Sequence, residues 1–176
     1  MGRRAVFLDR DGVLVRNELR AGKPYAPRKL AEFKLFPDAL GATTALRQAG
    51  FVLVVVTNQP DVADGLVDRA TVEAMHGRLL RELPIDAIKV CYHARSENCD
   101  CRKPRPGMLL QAARELDIDL AASFMVGDRW RDIVAGQTQG CYTVFIDRGY
   151  DERRPEDPDV IVSSLAEAVD AILNDS

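Results

Sequence analysis

Short apolar runs rich in β-branched residues recur along the chain, and polar stretches separate them. Each run is bounded by charged or turn-forming residues, which is typical of strands that are buried on both faces of a sheet. The pattern therefore predicts five short buried strands, over residues 5–8, 51–56, 88–92, 124–126 and 142–146.

Helical spacing of apolar residues fills most of the intervals between these strands. Asp38 and Asp68 stand where they can cap helices, and Pro106 suits a first helical turn. The predicted helices cover residues 38–50, 68–83, 106–116 and 129–139, and a last one runs from a cap at Ser163 or Ser164 to residue 173. Because strand and helix alternate, we predict a parallel sheet with helices on both faces.

The composition suits one compact α/β domain. The chain has 176 residues, of which 47% are apolar, and a chain of this length can bury roughly 70% of its unfolded surface. No stretch has the composition of a linker, a repeat or a low-complexity tract, so we expect residues 1–176 to form a single domain. The irregular segments 10–37, 92–106 and 148–158 are predicted to be loops.

Charge and hydropathy exclude several classes of protein. Lys and Arg total 24 against 27 Asp and Glu, a net charge of −3, which provides no basic surface for nucleic acid or an anionic membrane. The apolar runs 5–8 and 51–56 are too short for a secretory signal or a membrane-spanning helix. We therefore expect a cytoplasmic protein with no nucleic-acid or membrane partner.

Two carboxylates follow the first predicted strand, at the edge where open α/β sheets bind their ligands. Asp9 and Asp11 are separated by one residue and are followed by Gly12. Like charges this close repel, and a cation or a phosphorylated substrate with its metal stabilises them. Gly12 lets the backbone approach a ligand. A capping turn is the alternative interpretation of the same residues.

Polar residues also follow the second, third and fourth predicted strands. Thr57 ends the second strand, where a hydroxyl group and turn amides can bind phosphate oxygens. Arg102 and Lys103 follow the third strand and can neutralise a phosphoryl group. Two opposite unit charges 4 Å apart attract each other by roughly 4 kcal/mol at an effective dielectric constant near 20. Asp128 ends the fourth strand. Taken singly, these residues also fit a strand exit, a solvated cation pair and a helix cap.

Three of the four cysteines lie close together, beside one of the two histidines. Cys91, His93, Cys99 and Cys101 offer three thiolates and one imidazole, which is the donor set of a closed tetrahedral zinc site. A disulfide between Cys99 and Cys101 would strain so short a loop. Because protein fills all four positions, we predict a structural zinc in a loop at 91–101 that holds Lys103 in place.

Three further residues have less specific surroundings. Asp132 lies one helical turn after Asp128, and it fits either a supporting position in the site or an exposed helix acid. His76 is predicted to be a packing or surface residue, and Cys141 a small core residue.

The order of the strand ends resembles the four motifs of the haloacid dehalogenase superfamily, over residues 5–146. The resemblance implies that Asp9 attacks phosphorus and forms an aspartyl-phosphate, and that Asp11 is the general acid and base. It implies that Thr57 and Lys103 hold the phosphoryl group, and that Mg²⁺ binds Asp9, Asp128 and the main-chain carbonyl of Asp11. The implied fold is a three-layer, Rossmann-like α/β sandwich with a central parallel sheet and no cap domain.

The zinc loop that leads into Cys-Arg-Lys-Pro resembles the zinc-containing, capless branch of this superfamily, which includes phosphatases of heptose 1,7-bisphosphate and of histidinol phosphate. The Pro-x-Pro-Gly-Met continuation at 104–108 is similar to the heptose enzymes, whereas the five residues between His93 and Cys99 are similar to the histidinol-phosphate enzymes. The expected function is removal of the 7-phosphate of D-glycero-D-manno-heptose 1,7-bisphosphate. Histidinol phosphate or another small sugar phosphate is the alternative substrate.

A sugar bisphosphate carries a second phosphate, and we assign Asn58, Arg102 and Arg129 to substrate binding. The basic segment 16–29 is another candidate receiver of that phosphate, or else a solvated loop; its cations are Arg16, Arg20, Lys23, Arg28 and Lys29. We expect an open site in a monomer whose partner is a small phosphorylated metabolite.

Two non-catalytic classes are the rivals. A phosphoacceptor switch uses similar residues, but it is expected to carry an acidic pair after the first strand and its acceptor aspartate on the third, and the order here differs from that. A zinc-binding module would explain the cysteines, yet the chain has only 6% aromatic residues to offer bases for stacking.

Overall fold

The computed structural model describes residues 2–175. The strands are β1 (Ala5–Leu8), β2 (Glu18–Arg20), β3 (Lys23–Tyr25), β4 (Val52–Asn58), β5 (Ala87–Cys91), β6 (Phe124–Gly127), β7 (Tyr142–Ile146) and β8 (Val160–Val162). Six of them form a parallel sheet in the order β5-β4-β1-β6-β7-β8, and β2 pairs with β3 in an antiparallel hairpin. The predicted parallel sheet is thus confirmed.

Helices cover both faces of this sheet. They are α1 (Ala39–Gln48), α2 (Arg69–Glu82), α3 (Gly107–Leu116), α4 (Trp130–Gln137) and α5 (Leu165–Asp175), with 3-10 turns at Leu30–Glu32 and Leu120–Ala122. Successive strand residues point to opposite faces, so Val6 and Leu8 pack with α1, α2 and α5, whereas Ala5 and Phe7 pack with α3 and α4. The result is the three-layer α/β sandwich that the resemblance implied.

The strand order places β1 between β4 and β6. Leu8, the last residue of β1, lies opposite Val55 of β4 and Val126 of β6. Because parallel strands end at the same edge, the residues that follow these three strands come together. This edge carries the site described below.

Two elements were missed within segments predicted to be loops. The hairpin of β2 and β3 turns at Ala21 and Gly22, both with positive φ. This turn sequence lacks the Asn-Gly or Asp-Gly signal that is typical of such hairpins. Pro24 also argues against a strand in the sequence. β8 has only three residues and follows a polar loop, so it shows little periodicity, yet it pairs in parallel with β7.

The helix positions agree with the predictions better than the caps do. Asp38 and Asp68 precede α1 and α2 but make no side-chain capping bond. Asp38 instead accepts a hydrogen bond at 3.1 Å from the backbone N–H of Ala166, which joins α1 to the start of α5. Ser164 caps α5 by accepting from the N–H of Glu167 at 3.1 Å.

The site edge carries little covering structure. The largest element inserted after β1 in the described chain is the small β2-β3 hairpin, so the expected absence of a cap domain agrees with residues 2–175. Among these residues, no helix has the length and apolar composition needed to span a bilayer.

Candidate active site

Polar side chains from several strand ends surround a cleft that opens to solvent. The residues after β1, β4, β5 and β6 contribute to it, as the parallel order requires. Seven of the residues singled out in the sequence line the cleft: Asp9, Asp11, Asn58, Arg102, Lys103, Arg129 and Asp132. Thr57 and Asp128 are buried close to them.

Lys103 is almost fully buried at the base of the cleft. Its Nζ lies 2.9 Å from Oδ1 of Asp9 and 2.7 Å from Oδ1 of Asp132, and it donates to the Val56 carbonyl at 2.6 Å. Burial by itself opposes the charged form, but the Asp132 and Asp9 carboxylates raise the pKa of Lys103 above its ordinary value. A permanent positive charge therefore stands beside Asp9.

Asp132 is buried, so the alternative of an exposed helix acid is wrong. Its Oδ1 pairs with Lys103, and its Oδ2 accepts the backbone N–H of Arg129 at 3.1 Å. Burial, with repulsion from Asp9 as the next cause, raises the pKa of Asp132 to about 6. Asp132 therefore connects the start of α4 to the lysine of the site.

Asp11 faces two donors. Arg10 donates from Nε to Oδ1 and from Nη2 to Oδ2, both at 3.0 Å, and Gln59 Nε2 donates to Oδ2 at 2.8 Å. Gln59 Nε2 also donates to Thr57 Oγ1 at 2.9 Å. Burial raises the pKa of Asp11, although Arg10 opposes the shift. A carboxyl group with a raised pKa beside the cleft is suited to general acid catalysis.

Asp128 has the properties of a metal ligand. Its Oδ1 is buried with no hydrogen-bond partner in the described chain, while its Oδ2 accepts the Tyr150 hydroxyl at 2.7 Å. Burial raises the pKa of Asp128 well above its usual value, and Asp9 and Asp132 add to the shift. Carboxylate oxygens of Asp9, Asp128 and Asp132 lie within 4.8 Å of one another. This crowded set of oxygens fits Mg²⁺.

Gly12 is required by both space and backbone conformation. Its φ is +90°, and a Cβ at this position would come within 1.8 Å of Asp128 Oδ2. Arg148 Nε donates to the Gly12 carbonyl at 3.0 Å, which holds this turn. The glycine therefore allows the turn after Asp11 to lie against the carboxylate at the end of β6.

Asn58 ties the end of β4 to the segment that carries Lys103. Its Nδ2 donates to the Lys103 carbonyl and its Oδ1 accepts the Lys103 N–H, both at 3.1 Å. Asn58 thus supports the backbone of Lys103, and its contact with substrate stays a prediction.

Four arginines line the cleft, namely Arg95, Arg102, Arg129 and Arg131. Arg129 pairs with Glu152, but Arg102 Nη1 is buried without a hydrogen-bond partner in residues 2–175. Burial and the Arg95 charge lower the pKa of Arg102, and burial and Arg129 lower that of Arg131. The positive charge of Arg95, Arg102 and Arg131 in the lining favours an anionic ligand.

The cations of segment 16–29 are absent from the lining of this cleft as the described residues form it. Three of them form ion pairs instead: Arg20 with Glu18, Arg28 with Asp61, and Lys29 with Glu32. The segment contributes Asn17, Pro24, Tyr25 and Ala26 to the lining. The geometry therefore favours the alternative in which these cations belong to a solvated loop.

The four residues of the Cys/His cluster come together as the spacing predicted. Cys91 Sγ lies 3.7 Å from Cys99 Sγ and 3.5 Å from His93 Nδ1, and His93 Nδ1 lies 3.2 Å from Cys101 Sγ. Zn–S bonds of about 2.3 Å in a tetrahedron separate two sulfurs by about 3.8 Å. The donor atoms therefore fit one zinc ion. Lys103 comes two residues after Cys101, and the role of a bound metal in holding this segment stays a prediction.

Several residues of the site were missed in the sequence. Gln59 directly follows Thr57 and Asn58, and this adjacency was a usable signal. Arg131, beside Asp132, was a weaker one. Tyr150 and Arg95 lie in segments predicted to be loops, and nothing in their sequence context pointed to the cleft.

Comparison with known proteins agrees with this geometry. Residues 100–168 match the model of the HAD-hydrolase-like family. The D-glycero-β-D-manno-heptose-1,7-bisphosphate 7-phosphatase of Pseudomonas aeruginosa is 36% identical over an alignment of 183 positions, which covers 98% of this chain and 99% of that protein. The enzyme of the same name from Escherichia coli K12 is also 36% identical, with 96% and 93% covered.

A solved structure is similar over almost the same extent. The D,D-heptose 1,7-bisphosphate phosphatase from B. bronchiseptica, in complex with magnesium and phosphate, matches with a TM-score of 0.84 at 33% identity. The match covers 98% of this chain and 99% of that chain.

The fold and the site define a phosphatase of the haloacid dehalogenase type. Within that superfamily, the chain belongs to the family that contains these heptose bisphosphate phosphatases. The predicted resemblance is confirmed, and the phosphoacceptor and zinc-module alternatives give way to an enzyme.

Proposed function

We propose that this phosphatase removes the 7-phosphate of D-glycero-D-manno-heptose 1,7-bisphosphate. The observation that carries the proposal is the buried, unpartnered Arg102 Nη1 in a cleft that also holds Asp9 and Lys103. One phosphate reacts at Asp9, and the free donor of Arg102, with Arg95 and Arg131 in the same lining, favours a second anion nearby. The substrates named for the relatives carry two phosphates, which supports the proposal.

The chemistry begins at Asp9. Its carboxylate attacks phosphorus, the bond from phosphorus to the ester oxygen breaks, and an aspartyl-phosphate forms. Asp11 donates its proton to the departing alkoxide and then takes a proton from the water that hydrolyses the intermediate. Lys103 and Thr57 hold the phosphoryl oxygens, and the ammonium of Lys103 balances their charge in the transition state.

Asp9, Asp128 and the main-chain carbonyl of Asp11 would hold Mg²⁺, and the free Oδ1 of Asp128 supports this assignment. When bound, the ion neutralises the phosphoryl group and aligns it with the nucleophile. Cys91, His93, Cys99 and Cys101 would hold a zinc ion, and that ion would be structural, since protein donors fill all four positions. We infer that the chain works as one domain, in which the Cys/His loop and the β2-β3 hairpin both contribute residues to the cleft lining.

Replacing Tyr150 by phenylalanine weakens Mg²⁺ binding. The Tyr150 hydroxyl occupies Oδ2 of Asp128 and leaves Oδ1 for the metal, and burial followed by the Asp128 charge raises the pKa of Tyr150, so it stays a donor. Loss of such a support typically costs metal affinity about tenfold or more. Calorimetric titration with Mg²⁺ measures the change. Tyr142→Phe, at the opposite end of β7, is the control, and equal Mg²⁺ affinity in Y150F and Y142F would contradict the role.

The arginines that line the cleft bind the distal phosphate. Arg102 has a free donor, Arg129 adjoins Asp128 in sequence, and Arg95 and Arg131 add charge. Binding energy gained at a remote phosphate can position the reacting one, so it raises the specificity constant.

Arg102→Ala therefore lowers kcat/KM for the heptose bisphosphate more than for a monophosphate ester. Loss of a hydrogen bond to a charged group corresponds to about 10- to 100-fold for the bisphosphate. Steady-state kinetics on both esters measure the difference, with Lys23→Ala as the control because Lys23 is exposed and is not among the residues that line the cleft. Equal losses on both esters would refute the subsite. A far higher specificity constant for histidinol phosphate would favour the alternative substrate that the short zinc loop indicated.

A further inference from the structure

Arg10 stands between Asp9 and Asp11 in the sequence, and its side chain is fully buried. Its guanidinium faces Asp11 on one side, through the two bonds at 3.0 Å described above. On the other side, its Nη1 lies 3.1 Å from Nε2 of His76, which belongs to α2. Three side chains thus form a line from the helix to the acid–base group.

The surroundings of this guanidinium offer few other partners. Met75 Sδ is 4.0 Å from Nη1, and the ring of Phe33 lies 5.6 Å from the guanidinium carbon. A buried cation is costly unless its donors are satisfied. His76 therefore supplies the hydrogen-bond acceptor for the donor that Asp11 does not reach.

The chemistry of arginine determines the form of His76. Arginine donates and never accepts, so Nε2 of His76 must be unprotonated to take this hydrogen bond. Burial, followed by the charge of Arg10, lowers the pKa of His76 to about 3, which agrees with a neutral ring. His76 is buried, as the packing interpretation predicted, but it packs against the site through a specific polar contact.

We propose that His76 is a positioning residue for the acid–base step, because it fixes Arg10 and Arg10 fixes where the Asp11 carboxyl stands relative to the ester oxygen. The inference rests on the proposed role of Asp11. Neither His76 nor Arg10 exchanges a proton: the proton lost by Asp11 goes to the leaving alkoxide, and the proton regained comes from water.

A test follows from the need for general acid catalysis. An alkoxide must be protonated as it leaves, whereas 4-nitrophenolate leaves without help. The quantity kcat/KM covers only the steps up to departure of the first product. A displaced Asp11 therefore lowers kcat/KM for the heptose bisphosphate and spares it for 4-nitrophenyl phosphate, and a general loss of folding would lower both.

His76→Leu should lower kcat/KM for the heptose ester by about tenfold or more, since misplacing a catalytic group by about 1 Å costs on the order of 100-fold. His76→Gln keeps an acceptor and should restore most of the loss. Leu79→Met, at a buried apolar position one turn further along the same helix, is the matched control and should leave the ratio of the two kcat/KM values unchanged. His76→Asn, whose shorter amide breaks the contact, replaces His76→Leu if that variant does not fold.

Asp11→Asn separates this inference from the proposed function. If kcat/KM for the heptose ester falls selectively in D11N but not in H76L and H76N, Asp11 is the acid and the inference about His76 is wrong. An equal loss on both substrates in the His76 variants also overturns it. If D11N shows no selectivity, the proposed role of Asp11 fails. If D11N and H76L lose kcat/KM only for the heptose ester, and H76Q restores it, both the role of Asp11 and the inference about His76 are supported.

Discussion

Asp9→Asn abolishes turnover of phosphate esters and leaves the fold intact. The amide has nearly the same shape as the carboxylate. In the wild-type protein the backbone nitrogen of Arg10 and Nζ of Lys103 lie 2.8 and 2.9 Å from Oδ1 of Asp9, and the amide oxygen can still accept both hydrogen bonds. An amide is a poor nucleophile, however, so no aspartyl-phosphate forms. Loss of a covalent nucleophile lowers kcat by about 10⁴-fold or more.

Steady-state phosphate release by wild-type and D9N enzyme measures this effect, and a thermal melt checks the fold. Asp119→Asn is the matched control, because Asp117 and Asp119 have the same Asp-x-Asp spacing at a helix end far from the cleft. Chelation by EDTA should likewise stop the wild-type enzyme, and added Mg²⁺ should restore it. Full activity in D9N would refute the mechanism.

Cys101→Ser has the second largest expected effect, on both zinc content and activity. Structural zinc contributes apparent binding free energies of about 10 to 16 kcal/mol in zinc-finger peptides, so loss of a ligand frees the loop. Lys103 comes two residues later, and its contacts with Asp9 and Asp132 depend on the path of this segment. We expect zinc to fall from one ion per chain to none, and kcat to fall by about 100-fold.

Elemental analysis gives the zinc content, and hydrogen exchange over residues 91–106 reports the loosening of the loop. Cys141→Ser is the control, since Cys141 is a buried core thiol whose pKa burial raises to about 12. The C141S variant should keep its zinc, whatever it loses in stability. Zinc-free wild-type protein, purified without chelators, would contradict the prediction.

The candidate residues at the strand ends could be found in the sequence because of two local signals. Apolar β-branched runs marked β1, β4, β5, β6 and β7, and in a parallel sheet the residues after such runs meet at one edge. The same rule predicts that Asp9, Thr57, Lys103 and Asp128 lie close together. The Cys/His cluster was equally accessible, because its donors lie within eleven residues and the loop between them is short.

What the sequence by itself determined was therefore the layer architecture, the position of the candidate site and the identity of its main carboxylates, its lysine and the Cys/His cluster. Only the tertiary structure decided which residues are in contact. It pairs Asp132 with Lys103, Tyr150 with Asp128 and His76 with Arg10, and it gathers the arginines around the cleft. These pairs are separated by 22 to 66 residues along the chain. Periodicity describes how one segment faces a core, whereas such contacts depend on how loops and helices cross the sheet, which no local pattern encodes.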